Sequence, residues 1–578
     1  MYTLTKEQED IIQAVHNDEK VIKVQAYAGC AKTSTLIEVA KEIRKTDKKS
    51  KILYTVFNRC LIEDAKKKFG ELKLDVDCRT VHSLGLKYFR GYMLKKTPIV
   101  VSGFSPSDVF DVIKKCKEEK KIYTFPSVTT VMEVLDIYLT TDTTRYNFLQ
   151  YLFEHSNAEE IEDINSDIIT AAFAVIDSYK KKNTYTHGMY LKEIACYNTE
   201  TLRGYDYIFV DECQDINVLL YKMLQRMTYK KIFVVGDTFQ TIYSFLNTLN
   251  LFELMEGKVY PLTKSFRLTN FETDLSDKLL KGCYGKFYKY PITNNGDKEG
   301  PYDMKNVSVL FRTNANMFMF AVTLLKKGGN VKVNFINSAN NGNKGTFDTE
   351  YKDMIYFFHQ LLLAQRRFRE ANKLKELFKV PTKSKLVDNL LKLCKESGSN
   401  FFDYCNTTSL LSFDLERYFM VYKAEMDDII GILSLIKKSE TNKKPDRVFN
   451  LATVHRYKGL ESDLVILAPD KWRIKNKEDI NLMYVACTRA KRHLDASSVR
   501  EAILTFIKSG FSESIETYAP TYKDMDRVVD VLLYKFKKEK YNRVPILYGI
   551  DELAHTCIDE DGVTHYFDNT DEFFDERF

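Results

Sequence analysis

Two short apolar runs, each stopping abruptly at polar residues, constrain this chain more than any other feature. Ile208-Phe209-Val210 runs into Asp211-Glu212-Cys213-Gln214-Asp215, and Ile232-Phe233-Val234-Val235 runs into Gly236-Asp237-Thr238-Phe239-Gln240. Runs of this length, rich in β-branched and aromatic residues, predict strands covered on both faces in a parallel sheet. Sheets of that kind present their chemistry at the carboxyl ends of the strands. The first end offers Asp211 for a metal ion and Glu212 beside it for a water; the second offers Gln240, placed to sense a phosphate. The fold class predicted is α/β.

A phosphate loop is found upstream. Val21-Ile22-Lys23-Val24 leads into Ala26-Tyr27-Ala28-Gly29-Cys30-Ala31-Lys32-Thr33-Ser34, and a helical pattern follows. In a strand, small-residue loop, Lys-Thr and helix layout, backbone N–H groups and the helix N-terminus cradle phosphates. Lys32 then reaches the β and γ oxygens, and Thr33 and Asp211 hold Mg²⁺. The usual loop has Gly where Ala31 stands, and alanine is expected there only with a negative φ.

The motif set resembles that of a superfamily 1 helicase of the UvrD/Rep/PcrA type, close to the F-box DNA helicase branch. Leu4-Thr5-Lys6-Glu7-Gln8 resembles the Q motif. Residues 52–59 resemble motif Ia, and Thr80-Val81-His82-Ser83 the next strand-contact motif. Residues 211–215 and 235–245 match motifs II and III. Ser265-Phe266-Arg267 matches motif IV, and residues 310–315 the segment after it. Residues 453–461 and 484–490 match motifs V and VI. Motif III closes with Ile242-Tyr243, as in the 3′→5′ branch, but continues Ser244-Phe245-Leu246-Asn247-Thr248 where the family usually has Trp followed by Arg-Gly-Ala.

The resemblance implies two RecA-like P-loop core domains with parallel sheets, each carrying a mainly helical insert. The first core takes 1–90 and 201–260 and its insert 91–200; the second takes 261–340 and 446–500 and its insert 341–445; 501–578 is a C-terminal extension. It implies ATP and Mg²⁺ as cofactors, with Gln8 on the adenine edge, Phe266 stacked on adenine and Glu461 among the nucleotide contacts. Arg267 and Arg489 are implied as arginine fingers beside Lys32, Thr33, Asp211, Glu212 and Gln240. Single strands are gripped by stacking and backbone contacts. Phe57, Tyr243 and Phe245 are the implied stacking platforms, and Asn58, His82, Arg312, Asn314 and His455 the polar contacts. The activity implied is ATP-driven 3′→5′ movement on single-stranded DNA and unwinding of tailed duplexes. A translocase that strips proteins from DNA and a nucleotide-gated scaffold with little turnover remain open beside it.

Composition fits this reading. At 578 residues the chain exceeds what one core supports. No apolar run approaches membrane-spanning length, 317–325 being the longest, and the start lacks a signal-peptide shape, so an intracellular protein is expected. The eleven cysteines show no C-x-x-C pair and read as reduced thiols. The net charge of +6 conceals an asymmetry: residues 551–578 carry ten acids against one Arg, leaving 1–550 at +15 (6 + 9). A basic body suits a phosphate backbone, while the acidic, aromatic-containing tail reads as a solvated terminus, with a partner-docking peptide or an acidic plug that competes with DNA for the basic groove as the sharper readings. Local signals also predict a helix started by Ser105-Pro106, helices over 166–179, 351–363 and 384–394, strands at 307–311 and 463–467, a linker at 439–445, and a C-terminal helix over 525–536.

Overall fold

The computed structural model describes residues 3–537 and the short pieces 556–558 and 564–566, leaving aside 57–58, 94–96, 156–164, 199, 244–247, 297–304, 328, 337–343, 346, 348–350, 383, 408–412, 512–514 and 518–521. It forms two compact units, Met1–Tyr27 with Ala31–Leu262, and Ala28–Cys30 with Thr263–Phe578.

The first unit is built on a six-stranded sheet. Its strands are β1 (Val21–Ala26), β2 (Ile52–Val56), β3 (Val76–Thr80), β4 (Tyr207–Val210), β5 (Lys231–Gly236) and β6 (Lys258–Leu262). They lie in the order β6–β1–β5–β4–β2–β3, every pair parallel. The run 208–210 is wholly buried, as is all of β5, which is why these strands read as apolar without alternation. Because all six point one way, the loops after β1, β4 and β5, three neighbouring strands, open at the same edge of the sheet.

Helix α1 (Lys6–Gln13) starts at a capping box in which Thr5 and Gln8 exchange hydrogen bonds. Helix α2 (Lys32–Thr46) follows the phosphate loop. The chain between β3 and β4 is mainly helical, with Pro106–Glu118, Val128–Thr140 and Ser166–Lys181 packed through Val109, Val131, Leu135, Ala172 and Val175. Ser105 does precede the Pro106 helix, yet its hydroxyl pairs with Ser107 Oγ (2.7 Å) and makes no cap bond. The helix predicted over 166–179 runs two residues further, capped by Asn165.

The second unit has a sheet of β7 (Asn306–Phe311), β8 (Val331–Ile336), β9 (Lys344–Gly345), β10 (Arg447–Thr453), β11 (Ser462–Leu467) and β12 (Ala490–Asp495). The order is β9–β8–β10–β7–β11–β12, parallel except for the edge pair β9–β8. The long apolar run 317–325 lies in helix α3 (Asn314–Lys327), whose residues 315–324 are all buried; it is a core helix, apolar all round for that reason. Helices Lys352–Ala364 and Lys385–Ser397 match the predicted positions, each extending beyond the predicted end. The linker predicted at 439–445 is shorter than expected. Helix Ile429–Glu440 runs into it, because Ser439 is buried and its hydroxyl accepts from Val333 N–H (2.8 Å). The C-terminal helix Tyr522–Lys537 packs on α3 and buries Met525, Val529 and Leu532, at helical spacing. The acidic tail falls mostly outside the described residues; 556–558 and 564–566 pair as antiparallel strands. No described helix is long and apolar enough to cross a membrane, and the described cysteines are free thiols.

Candidate active site

At the carboxyl edge of the first sheet, Lys32, Asp211 and Glu212 meet. Lys32 Nζ lies 2.9 Å from Glu212 Oε1. Burial disfavours its charge, but Glu212, Asp211 and Asp237 more than offset that and hold the amine charged. Glu212 sits in the left-handed region at φ +50, uncommon for a residue with a Cβ. Its carboxylate is fixed on both sides, by Lys32 and by Gln214 Nε2, which donates to Oε2 at 2.7 Å. Gln214 in turn accepts from Asp237 N–H (3.2 Å), tying the ends of β4 and β5. Gly236 makes this possible: a Cβ there would collide with Gln214 Oε1 and Cys213 Sγ. The sequence carried Gln214 inside motif II without marking it.

Asp211 is buried at 3% exposure. Its Oδ1 accepts from Glu212 N–H (2.9 Å) and its Oδ2 from Tyr54 O–H (2.7 Å). Burial, with Glu212 adding to it, pushes its carboxyl above the ordinary range. Two carboxylates withdrawn from water beside one ammonium form a site deficient in positive charge, which a hard dication corrects. Mg²⁺ takes one or two carboxylates, keeping waters and phosphate oxygens for the rest. Asp211, with Thr33 at the start of α2, fits that habit. Among the described residues no cluster of three or more His, Cys, Asp or Glu forms a metal cage.

Gln240 is buried and donates from Nε2 to Asp237 Oδ2 (2.8 Å), while Asp237 Oδ1 accepts from Phe239 N–H (3.1 Å). Tyr27 stacks on Phe239, ring centroids 5.9 Å apart and 6° from parallel. The Gln8 amide is engaged within the unit: Oε1 accepts from Thr5 N–H (3.0 Å), and Nε2 donates to Thr35 Oγ1 (3.1 Å). Ala26 is buried, Thr33 half-buried and Ser34 exposed. Ala31 departs from expectation. It adopts φ +58, ψ 37 at the N-cap of α2, the conformation the usual glycine takes without strain. The loop geometry therefore overrides the preference of the side chain.

In the second unit the two arginines expected as fingers both bond to Thr488. Arg267 Nη1 donates to Thr488 O (3.3 Å) and Arg489 Nη2 to Thr488 Oγ1 (3.0 Å). Arg267 also pairs with Glu461. Arg489 is buried and further held by Nε on Val485 O (2.8 Å). Phe266 is half-buried. The loop residues Ala28, Gly29 and Cys30 group with this unit: Ala28 O accepts from Ser265 Oγ (2.7 Å), Gly29 O from Phe266 N–H (2.9 Å), and Tyr484 O–H from Ala28 N–H (3.3 Å). Gly29 has φ +75, and a Cβ on it would strike the Arg267 Cβ.

The expected strand contacts are divided. Phe57, Asn58 and Phe245 lie outside the described residues. In the first unit His82 is exposed, its ring edge-on to His187 at 5.8 Å, and Tyr243 is half-buried. In the second, Arg312 and His455 are neighbours. Burial, with Arg312 and Lys458 adding to it, brings the His455 imidazole down to about 4, so it is neutral at physiological pH. Asp470, which sequence reasoning missed, fixes the start of α3. Its carboxylate accepts from Arg312 N–H (2.7 Å), Thr313 N–H (2.8 Å), Thr313 Oγ1 (3.0 Å) and Asn316 Nδ2. Asn314 O accepts from Tyr351 O–H (3.3 Å).

Residues 8–246 match the AAA domain family, and residues 408–501 match the UvrD-like helicase C-terminal domain. Together the two matches make the chain similar to the UvrD-like helicases. It is 26% identical over 542 residues to the F-box DNA helicase 1 of Gallus gallus, covering 88% of this chain and 50% of that protein. It is 27% identical over 544 residues to the F-box DNA helicase protein 1 of Schizosaccharomyces pombe, covering 85% and 57%. A probable DNA helicase II homolog of Mycoplasma capricolum is 23% identical, covering 92% and 88%. The chain thus spans about half the length of the F-box proteins it resembles.

Proposed function

We propose that this UvrD-like protein is an ATP-dependent DNA helicase that moves 3′→5′ along single-stranded DNA. The observation that carries the reading is the meeting of Lys32, Asp211 and Glu212 at the carboxyl ends of neighbouring parallel strands, each group fixed by named partners. Phosphoryl transfer to water asks for charge neutralisation on the phosphate oxygens and an oriented nucleophile. Asp211 and Thr33 would hold Mg²⁺, which would supply positive charge to offset that of the phosphate oxygens. Lys32 binds the β and γ oxygens, exchanging its Glu212 partner for phosphate. Glu212, released from Lys32, orients the water and takes its proton on a carboxylate oxygen. Gln240 senses the γ-phosphate, Gln8 reads adenine and Phe266 stacks on it.

Arg267 and Arg489 serve as fingers, a role worth ~10³ or more in rate where it operates. Two RecA-like cores with helical inserts, at the boundaries expected from the sequence, alternate their hold on the strand through Phe57, Asn58, His82, Tyr243 and Phe245 on one core and Arg312, Asn314 and His455 on the other. Single-stranded DNA, tailed duplexes and a protein partner for the acidic tail are the partners proposed.

Three duplexes differing only in tail test the proposal, with Lys32→Ala as the inactive control. Unwinding is expected from a 3′ tail, with little from a 5′ tail or a blunt end. Unwinding from the 5′ tail alone overturns the polarity. Strand-stimulated hydrolysis without unwinding makes the protein a translocase, and nucleotide binding without turnover makes it a gated scaffold.

A further inference from the structure

Tyr54 is buried in the middle of β2, 1% exposed, with its ring edge-on to Phe69 at 5.7 Å. Packing of that kind asks only for a ring, and phenylalanine would supply it. The hydroxyl needs a separate reason, since a buried O–H must find an acceptor. Its acceptor is Asp211 Oδ2 at 2.7 Å, a residue 157 positions away in sequence. Register explains the meeting: β2 and β4 are neighbours, Tyr54 pairs with Phe209, and Asp211 lies just beyond the end of β4. The other oxygen, Oδ1, accepts from Glu212 N–H at 2.9 Å. One donor on each oxygen fixes the plane of the carboxylate, and each oxygen keeps a second lone pair.

We infer that Tyr54 is a positioning residue for the cation site, orienting the Asp211 carboxylate so that its remaining lone pairs face a Mg²⁺–nucleotide. The inference rests on the reading of Asp211 as the Mg²⁺-holding residue and goes beyond it by naming what aims that carboxylate. Groups that orient a ligating side chain typically contribute 10–100-fold in metal affinity. The O–H is a neutral donor, so it directs the carboxylate without cancelling the charge the cation binds.

Tyr54→Phe removes the hydroxyl and keeps the ring. Binding of Mn²⁺, followed by electron paramagnetic resonance with a non-hydrolysable ATP analogue on the full chain, is expected to weaken about 10-fold. Affinity for the same analogue in EDTA is expected to be unchanged. Phe69→Leu, which loosens the same packing and spares the hydroxyl, is expected to keep the wild-type Mn²⁺ affinity. Unchanged Mn²⁺ affinity in Tyr54→Phe overturns the inference, as does equal weakening in Phe69→Leu or a parallel loss of affinity in EDTA. Asp211→Asn separates the two levels. If it leaves Mn²⁺ binding intact, the underlying assignment of Asp211 fails; if it abolishes binding while Tyr54→Phe leaves the affinity unchanged, only the role of Tyr54 fails.

Discussion

The phosphate loop shows how a single residue can depart from its family's habit while the backbone keeps its course. Ala31 holds φ +58 where glycine is usual, at a cost of about 1 kcal/mol or more for the Cβ. Replacing it with glycine removes that strain but frees the unfolded chain by about 0.4–1 kcal/mol. Ala31→Gly is therefore expected to change thermal stability little and to leave nucleotide affinity equal or better. Ala31→Val is expected to lose more than 1 kcal/mol and to weaken nucleotide binding, because a β-branched residue is a genuine outlier at positive φ. Calorimetry and nucleotide titration of the two variants check both statements; a valine variant as stable as wild type would mean the loop relaxes out of the left-handed region.

At the scale of elements, legibility followed sequence distance. The strands ending at Asp211 and Gly236 and the helices 166–181 and 522–537 were readable because apolar periodicity is local. Helix ends drifted by a few residues because their partners, such as the β8 backbone bonded to Ser439, are remote. The residues that orient the site were illegible for the same reason: Tyr54 acts across 157 positions, Gln214 across 23 and Asp470 across 158. Tyr54 lies within motif Ia and Gln214 within motif II, but neither motif marks which of its side chains orients the site, and Asp470 lies in no motif.

Asp470 yields the prediction for this scale. It gathers Arg312 N–H, Thr313 N–H, Thr313 Oγ1 and Asn316 Nδ2 on one carboxylate at the start of α3. Asparagine would turn an N–H₂ toward donors. Asp470→Asn is expected to cost roughly 2 kcal/mol, the order of a hydrogen bond to a charged acceptor plus a buried donor left unmet. Since Arg312 is a proposed strand contact, single-strand affinity should fall while hydrolysis without DNA changes little. Equal loss of both activities would show that Asp470 only holds the unit together.

For the molecule as a whole, charge is the quantity that sequence alone determines. Residues 1–550 carry +15, and the last 28 residues, with ten acids and one Arg, bring the total to +6. A protein tracking a phosphate backbone gains affinity by releasing counterions, and an attached anionic segment competes for the same cationic groups. That competition acts through space over about 10 Å at 0.1 M salt and shrinks as salt rises. Deleting residues 551–578 is therefore expected to tighten single-strand binding at low ionic strength and to steepen its salt dependence, with the two curves converging at high salt. Fluorescence anisotropy of a labelled oligonucleotide across a salt series reads both the offset and the slope. Superimposable curves would mean that the tail's charge never reaches the groups that hold the strand, and the reading of the tail as a solvated terminus would then stand.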